Sequence, residues 1–304
     1  DRGHLLTEQS NPRSRRLDQL ATTDLVNLFV EEDRRPQEAV AGASDALAAA
    51  VDAIAARLLD GGRLFYLGAG TSGRLGVLDA AECPPTFCSD PKLVQGVLAG
   101  GTPALLRSSE GLEDLEQAGR EDLERHGFQQ GDCLVGIAAG GTTPYVRGGL
   151  SYARSIGALA IGMACVPKDQ APLPCDIDIR LLTGPELLTG STRLKAGTAT
   201  KMALNILSTT VMVRLGKVYG NRMVDVAASN SKLVDRSLRI LRDLIGVERE
   251  EGLALLGLSD GSVKLALLMK AGKLSKDQAE GVLERNDQQL RQALESCGAT
   301  LAQL

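Results

Sequence analysis

The chain has 304 residues, 43% hydrophobic and 24% charged, which is ordinary for a soluble globular protein with a large core. A net charge of -4, four Tyr, four Phe and no Trp argue against a nucleic-acid partner, which would call for a basic face and stacking rings. The six cysteines form no CxxC pair and have only His4 and His126 beside them, so no metal site is expected. They read as reduced thiols, and with no bilayer-length apolar stretch and no signal-like opening the expected compartment is the cytoplasm.

After a polar arm, Thr23 reads as the N-cap of a helix over 24–33. Val40, Leu47, Val51, Ile54 and Leu58 recur at helical spacing and predict one alanine-rich helix over 36–59. A β-rich run at 63–67 breaks into Gly68-Ala69-Gly70-Thr71-Ser72-Gly73, followed by a helix to about Glu82 that Pro84-Pro85 should stop. The pattern recurs with a strand at 93–98 and a charged helix capped by Ser109 that reaches Arg125. A third strand at 133–138 breaks into Gly140-Gly141-Thr142-Thr143-Pro144, and a helix follows over 145–156. Two more strands, 158–165 and 177–182, precede a long helix over 195–215.

Strands alternating with helices predict an α/β fold, a five-stranded, mostly parallel sheet covered on both faces. It should span about 46–230, after an N-terminal arm and helices at 1–45. The region 235–304 reads as a small helical domain, with Ser262 and Ser275 as N-caps, Gln278 completing a capping box, and Gly272 as a C-cap.

Gly68 to Gly73 matches GxGxxG after a strand, but the second strand ends in Leu98-Ala99-Gly100-Gly101-Thr102, without the carboxylate a dinucleotide ribose would need. No dinucleotide is expected. Thr71 and Ser72 offer hydroxyls and N–H groups at a helix start, which suits a phosphate, and the loop 140–143 repeats the arrangement. Gly, Ser and Thr are also favoured in ordinary strand-to-helix turns, so both readings stay open for these loops. A third segment carries Ser191, Thr192, Arg193 and Lys195 just before a helix and reads either as an anion site or as a cap with solvated bases.

Gly184-Pro185-Glu186-Leu187-Leu188-Thr189-Gly190-Ser191-Thr192-Arg193-Leu194-Lys195-Ala196-Gly197-Thr198-Ala199-Thr200-Lys201 resembles a signature shared by N-acetylmuramic acid 6-phosphate etherases and the glucokinase regulatory protein. Tyr66 to Gly76, Leu78 to Thr86, Glu110 to Asp114 and Val218 to Asn221 resemble the etherase motifs, and the likeness runs from Leu6-Thr7-Glu8 to the C-terminal helices. The resemblance implies a sugar isomerase (SIS) fold. It also implies conversion of N-acetylmuramic acid 6-phosphate to N-acetylglucosamine 6-phosphate and D-lactate, with no cofactor. Glu82 and Glu113 would be the acid–base pair. Thr71, Ser72, Arg74, Gly140, Thr142, Thr143, Ser191, Thr192, Arg193 and Lys195 would form the ligand set. Where the family usually reads Ala-Ser-Gly-Arg-Thr this chain has Ala139-Gly140-Gly141-Thr142-Thr143, so a serine hydroxyl and an arginine are missing from the second loop.

By composition alone Glu113, set among Glu110, Glu116, Glu121 and Glu124, reads as part of a solvated face, whereas Glu82 beside Cys83 and two prolines is the less expected charge. Cys83 has no nearby histidine in sequence to activate it as a nucleophile. Glu82 lies about ten residues from Thr71-Ser72, roughly 15 Å along a straight helix. Either the second loop holds the phosphate or Glu82 serves a pocket shared with another subunit, and a homodimer is the expectation. Other readings are a non-catalytic sugar-phosphate sensor of the glucokinase-regulatory-protein type, although that family has two SIS domains, and an aldose–ketose isomerase. A SIS-type transcription regulator would need a basic recognition helix that is not evident here.

Overall fold

A computed structural model of the chain describes residues 2–107, 110–226 and 231–301. Two compact units emerge. The first comprises Asp1–Glu82 and Pro91–Thr210, and the second comprises Cys83–Asp90 and Val211–Leu304.

The first unit is built on five parallel strands, β1 (Leu64–Gly68), β2 (Val94–Leu98), β3 (Cys133–Ile137), β4 (Leu159–Ala164) and β5 (Ile177–Arg180), in the order β2-β1-β3-β4-β5. Every residue of β1 and β3 is buried, as expected for central strands covered on both faces. The helices around them are α1 (Thr22–Glu32), α2 (Arg35–Gly42), α3 (Ser44–Leu59), α4 (Gly70–Phe87), α5 (Pro103–Leu106), α6 (Glu116–Arg125), α7 (Pro144–Ser155) and α8 (Lys195–Arg214). On one face Phe65, Leu67 and Leu134 pack with Leu123 of α6 and with Val146, Leu150 and Ala153 of α7. On the other, α4 lies so close to β1 that a β-carbon at Gly76 would stand 2.8 Å from Tyr66 Cβ. The N-terminal arm joins this core through Leu5, which is 1% exposed among Val166, Ala171 and their neighbours.

The second unit gathers α9 (Ser231–Ile245), α10 (Arg249–Leu258), α11 (Val263–Gly272), α12 (Lys276–Arg285) and α13 (Leu290–Ser296) around a core of Leu241, Leu256, Leu267, Leu268, Leu283 and Leu294. Among the described residues, no single helix is long and apolar enough to cross a membrane.

Several element boundaries differ from the sequence expectations. The helix over 36–59 is two helices. Gly42, a weak helix former, precedes Ala43, whose φ of -102° and ψ of 9° break the axis by 56°. Pro84 and Pro85 do not stop α4, which runs on to Phe87. Each removes one i→i−4 bond and crowds one carbonyl, but both lie in the last turn, where the φ of about -65° that proline fixes is itself helical. The first helix begins at Thr22 after Ala21, with no side-chain cap from Thr23. The charged helix starts at Glu116, after a 3-10 turn over Glu110–Leu112, and Ser109 lies outside the described residues. The Ser262 cap and the Ser275–Gln278 capping box form as read, but the left-handed C-cap is Lys273 rather than Gly272. A short hairpin, β6 (Val218–Tyr219) with β7 (Arg222–Met223), had no counterpart in the sequence reading.

Candidate active site

Gly68 of β1 is level with Leu98 of β2 and Ile137 of β3, so the loops that follow these strands leave the sheet along one edge. The first loop turns directly into α4, placing half-buried Thr71 and Ser72 in its first helical turn, where backbone N–H groups have no helical acceptor. A β-carbon at Gly73 would stand 2.4 Å from the Gly68 carbonyl oxygen, so close helix–strand packing accounts for the GxGxxG spacing without a dinucleotide.

The other loops meet the first. A β-carbon at Gly197, in the first turn of α8, would lie 3.5 Å from the Thr192 carbonyl oxygen and 3.6 Å from Thr71 Cγ2. The segment carrying Ser191 and Thr192 is therefore beside the first loop, with both residues half-buried and Arg193 exposed. The 3-10 turn Leu6–Glu8 reaches two loops at once. Thr7 Oγ1 lies 3.6 Å from the β-carbon position of Gly140, and Glu8 Oε2 lies 3.1 Å from that of Gly190.

Glu113 is held at the second loop by its backbone, because its carbonyl oxygen accepts the N–H of Tyr145 at 3.0 Å, two residues past Thr143. It is half-buried, and its neighbour Leu112 lines a cavity of about 490 Å³ together with Gly100, Gly101, Thr102 and Tyr145. Glu82 is not part of this cluster. It is exposed on α4, twelve residues beyond Gly70, about 18 Å along a straight helix.

Residues 46–154 match the family model described as the glucokinase regulatory protein N-terminal SIS domain. A protein of Synechococcus sp. (strain CC9902) named N-acetylmuramic acid 6-phosphate etherase is 92% identical over 304 residues, covering all of this chain and 96% of that relative. A relative of the same name from Parasynechococcus marenigrum (strain WH8102) is 79% identical, over 100% of this chain and 96% of its own. Another from Synechocystis sp. (strain ATCC 27184 / PCC 6803 / Kazusa) is 61% identical over 97% of each chain. The chain belongs to the N-acetylmuramic acid 6-phosphate etherase family.

Within this etherase frame, two cations expected on the ligand are engaged by the protein. Lys195 is 3% exposed, and its Nζ donates to Glu32 Oε2 at 2.6 Å and to the Pro185 carbonyl oxygen at 2.8 Å. Arg74 Nε donates to the Ala104 carbonyl oxygen at 2.9 Å. Burial pushes the Glu32 carboxyl up, but hydrogen bonds and charge from Lys195, then Arg13 and Asn11, outweigh this and hold it below the usual carboxylate range. Lys195 thus fastens α1 to the start of α8.

Sequence reasoning missed two buried carboxylates, one at this edge and one along α4. Glu186, 1% exposed, accepts the N–H groups of Lys195 at 3.1 Å and Ala196 at 2.9 Å, capping α8 from nine residues upstream. The signature spacing between Glu186 and Lys195 was the available signal, but it was read as loop chemistry. Asp79 is buried on α4 between Tyr66 Oη, which donates at 2.9 Å, and Ser208 Oγ, which donates at 3.2 Å. Burial raises its carboxyl above the usual range, against those hydrogen bonds and the charge of Lys201. Among the described residues, no group of three His, Cys, Asp or Glu side chains is placed to hold a metal.

Proposed function

We propose that this chain is a cytoplasmic carbon–oxygen lyase that cleaves the D-lactyl ether of N-acetylmuramic acid 6-phosphate, giving N-acetylglucosamine 6-phosphate and D-lactate. Identity of 92% over the whole chain with a named etherase supports the reaction, and the observation that carries its placement is Glu113 pinned to the second loop by Tyr145 N–H. The ether oxygen on C3 is β to the C1 aldehyde of the open-chain sugar. A carboxylate takes the C2 proton, the resulting enolate expels lactate as a carboxylic acid protonates the leaving oxygen, and water then adds across the alkene, placing its hydroxyl at C3 and returning a proton to C2.

Glu82 and Glu113 divide the acid and base roles. The phosphate sits among Thr71, Ser72, Thr142, Thr143, Ser191 and Thr192, with the N–H groups near Gly140 and the Arg193 guanidinium completing the anion field. Lys195 acts behind this shell, through Glu32 and the Pro185 carbonyl. Glu82 is exposed and distant from the loops along α4, which supports a homodimer in which it completes a pocket at the subunit boundary.

Incubation with N-acetylmuramic acid 6-phosphate and an enzymatic assay for D-lactate tests the reading. Stoichiometric lactate is expected. Exchange of the C2 proton with no lactate would indicate an isomerase, and binding with neither would indicate a sensor.

A further inference from the structure

The 3-10 turn Leu6–Glu8 holds a polar atom that the fold leaves without a partner. Leu5 is anchored in the hydrophobic core, the Leu6 N–H donates to Gln170 Oε1 at 2.9 Å, and the Glu8 N–H donates to the Leu5 carbonyl oxygen at 2.9 Å, so the turn is fixed on both sides of Thr7. Thr7 is 1% exposed, and its Oγ1 is buried with no hydrogen-bond partner. An unpaired buried hydroxyl is unfavourable, and native proteins carry few of them.

The position of this hydroxyl gives it a use. The point where a β-carbon on Gly140 would stand lies 3.6 Å from Thr7 Oγ1, 3.8 Å from Thr142 Oγ1 and 3.9 Å from Leu5 Cδ1. Gly140 is thus a notch flanked by two threonine hydroxyls, in the loop beside Glu113. A side chain at position 140 would occupy the notch, and glycine leaves it to whatever binds there.

We propose that Thr7 is a phosphate-binding residue of this site, its hydroxyl donating to an oxygen of the substrate phosphate seated in the notch at Gly140. The N-terminal turn then serves as the fourth wall of the anion site, and the unpaired hydroxyl is the donor that the bound phosphate satisfies. This inference rests on the sugar-phosphate reading above. It also explains how the second loop functions without a hydroxyl at position 140, since the donor arrives from a distant part of the chain.

The test is Thr7→Val, which keeps the shape and removes the hydroxyl. Loss of a hydrogen bond to a charged group should raise KM for N-acetylmuramic acid 6-phosphate about tenfold, with kcat nearly unchanged. Protection from thermal unfolding by inorganic phosphate should weaken in parallel, while the Tm of the free protein holds or rises because an unpaired polar atom is gone. Adding Gly140→Ser to Thr7→Val should restore KM. The new β-carbon meets nothing closer than 3.6 Å, and the serine hydroxyl enters the notch. A purely structural Thr7 would leave KM and phosphate protection unchanged, and that result overturns the proposal.

If Thr7→Val does not fold, Thr7→Ser and Thr7→Ala decide the matter. Retained phosphate affinity in the first and loss in the second support the proposal, and equal affinity in both overturns it. Should the unmodified protein release no lactate, the reading of the reaction fails by itself, and phosphate protection still decides the role of Thr7.

Discussion

Lys195→Met tests the assignment of Lys195 to the scaffold rather than to the substrate. Lys195 and Glu32 are 3% and 4% exposed, and breaking a buried pair from one side usually costs about 3–5 kcal/mol. The lower end applies here. Glu32 keeps Arg13 on Oε1 at 2.9 Å and Asn11 on Oε2 at 3.1 Å, and the Pro185 carbonyl keeps Asn11 Nδ2 at 3.0 Å. A loss of about 3 kcal/mol corresponds to a fall in Tm of roughly 5–10 °C for a chain of this size. Differential scanning fluorimetry across pH reads it. Because the folded-state carboxyl of Glu32 lies below its unfolded value, the pair's contribution is present above about pH 4.3 and is lost as pH falls through the folded value. The difference in Tm between the two proteins should therefore be widest near neutrality and narrow in acid. An unchanged Tm together with a KM raised tenfold or more would refute the reasoning and make Lys195 a ligand.

Glu82→Gln, which removes the ionisable group and keeps the shape, should abolish lactate release while sparing ligand binding. Glu113→Gln should lower turnover by about 10²-fold or more, and C2 proton exchange in deuterated water should survive in whichever variant keeps the base. Asp79→Asn should gain stability relative to the parent as pH rises. The raised Asp79 carboxyl favours the folded state below its unfolded pKa of about 3.9, and that advantage is lost as pH climbs through the folded value, so Tm curves against pH should diverge toward neutrality. Gly96→Ala places a β-carbon 2.5 Å from Val77 Cα on α4, so β2 and α4 must separate. A loss of about 1–3 kcal/mol is expected in denaturant melts. Turnover should withstand EDTA, and activity that is lost on chelation and returns with zinc or magnesium would overturn the carboxylate-only reading.

The alternation of short apolar runs with helical spacing was enough to give five parallel strands, because a βαβ unit buries its central strands on both faces and leaves β1 and β3 apolar throughout. The strand-end loops were equally legible, since Gly, Ser and Thr at a strand-to-helix turn are a local pattern. Local pattern could not say which charged groups meet. Lys195 and Arg193 look alike in sequence, yet the fold buries the first against Glu32, 163 residues away, and leaves the second in solvent. Glu186 caps a helix it does not adjoin, and Thr7 arrives at Gly140 from the N-terminal arm. The Lys195–Glu32 and Thr7–Gly140 pairings depend on chain closure over long separations. A buried charge or hydroxyl is assigned by the partners within about 3 Å of it, and those partners were set by the packing of α1, α8 and the N-terminal turn on one edge of the sheet.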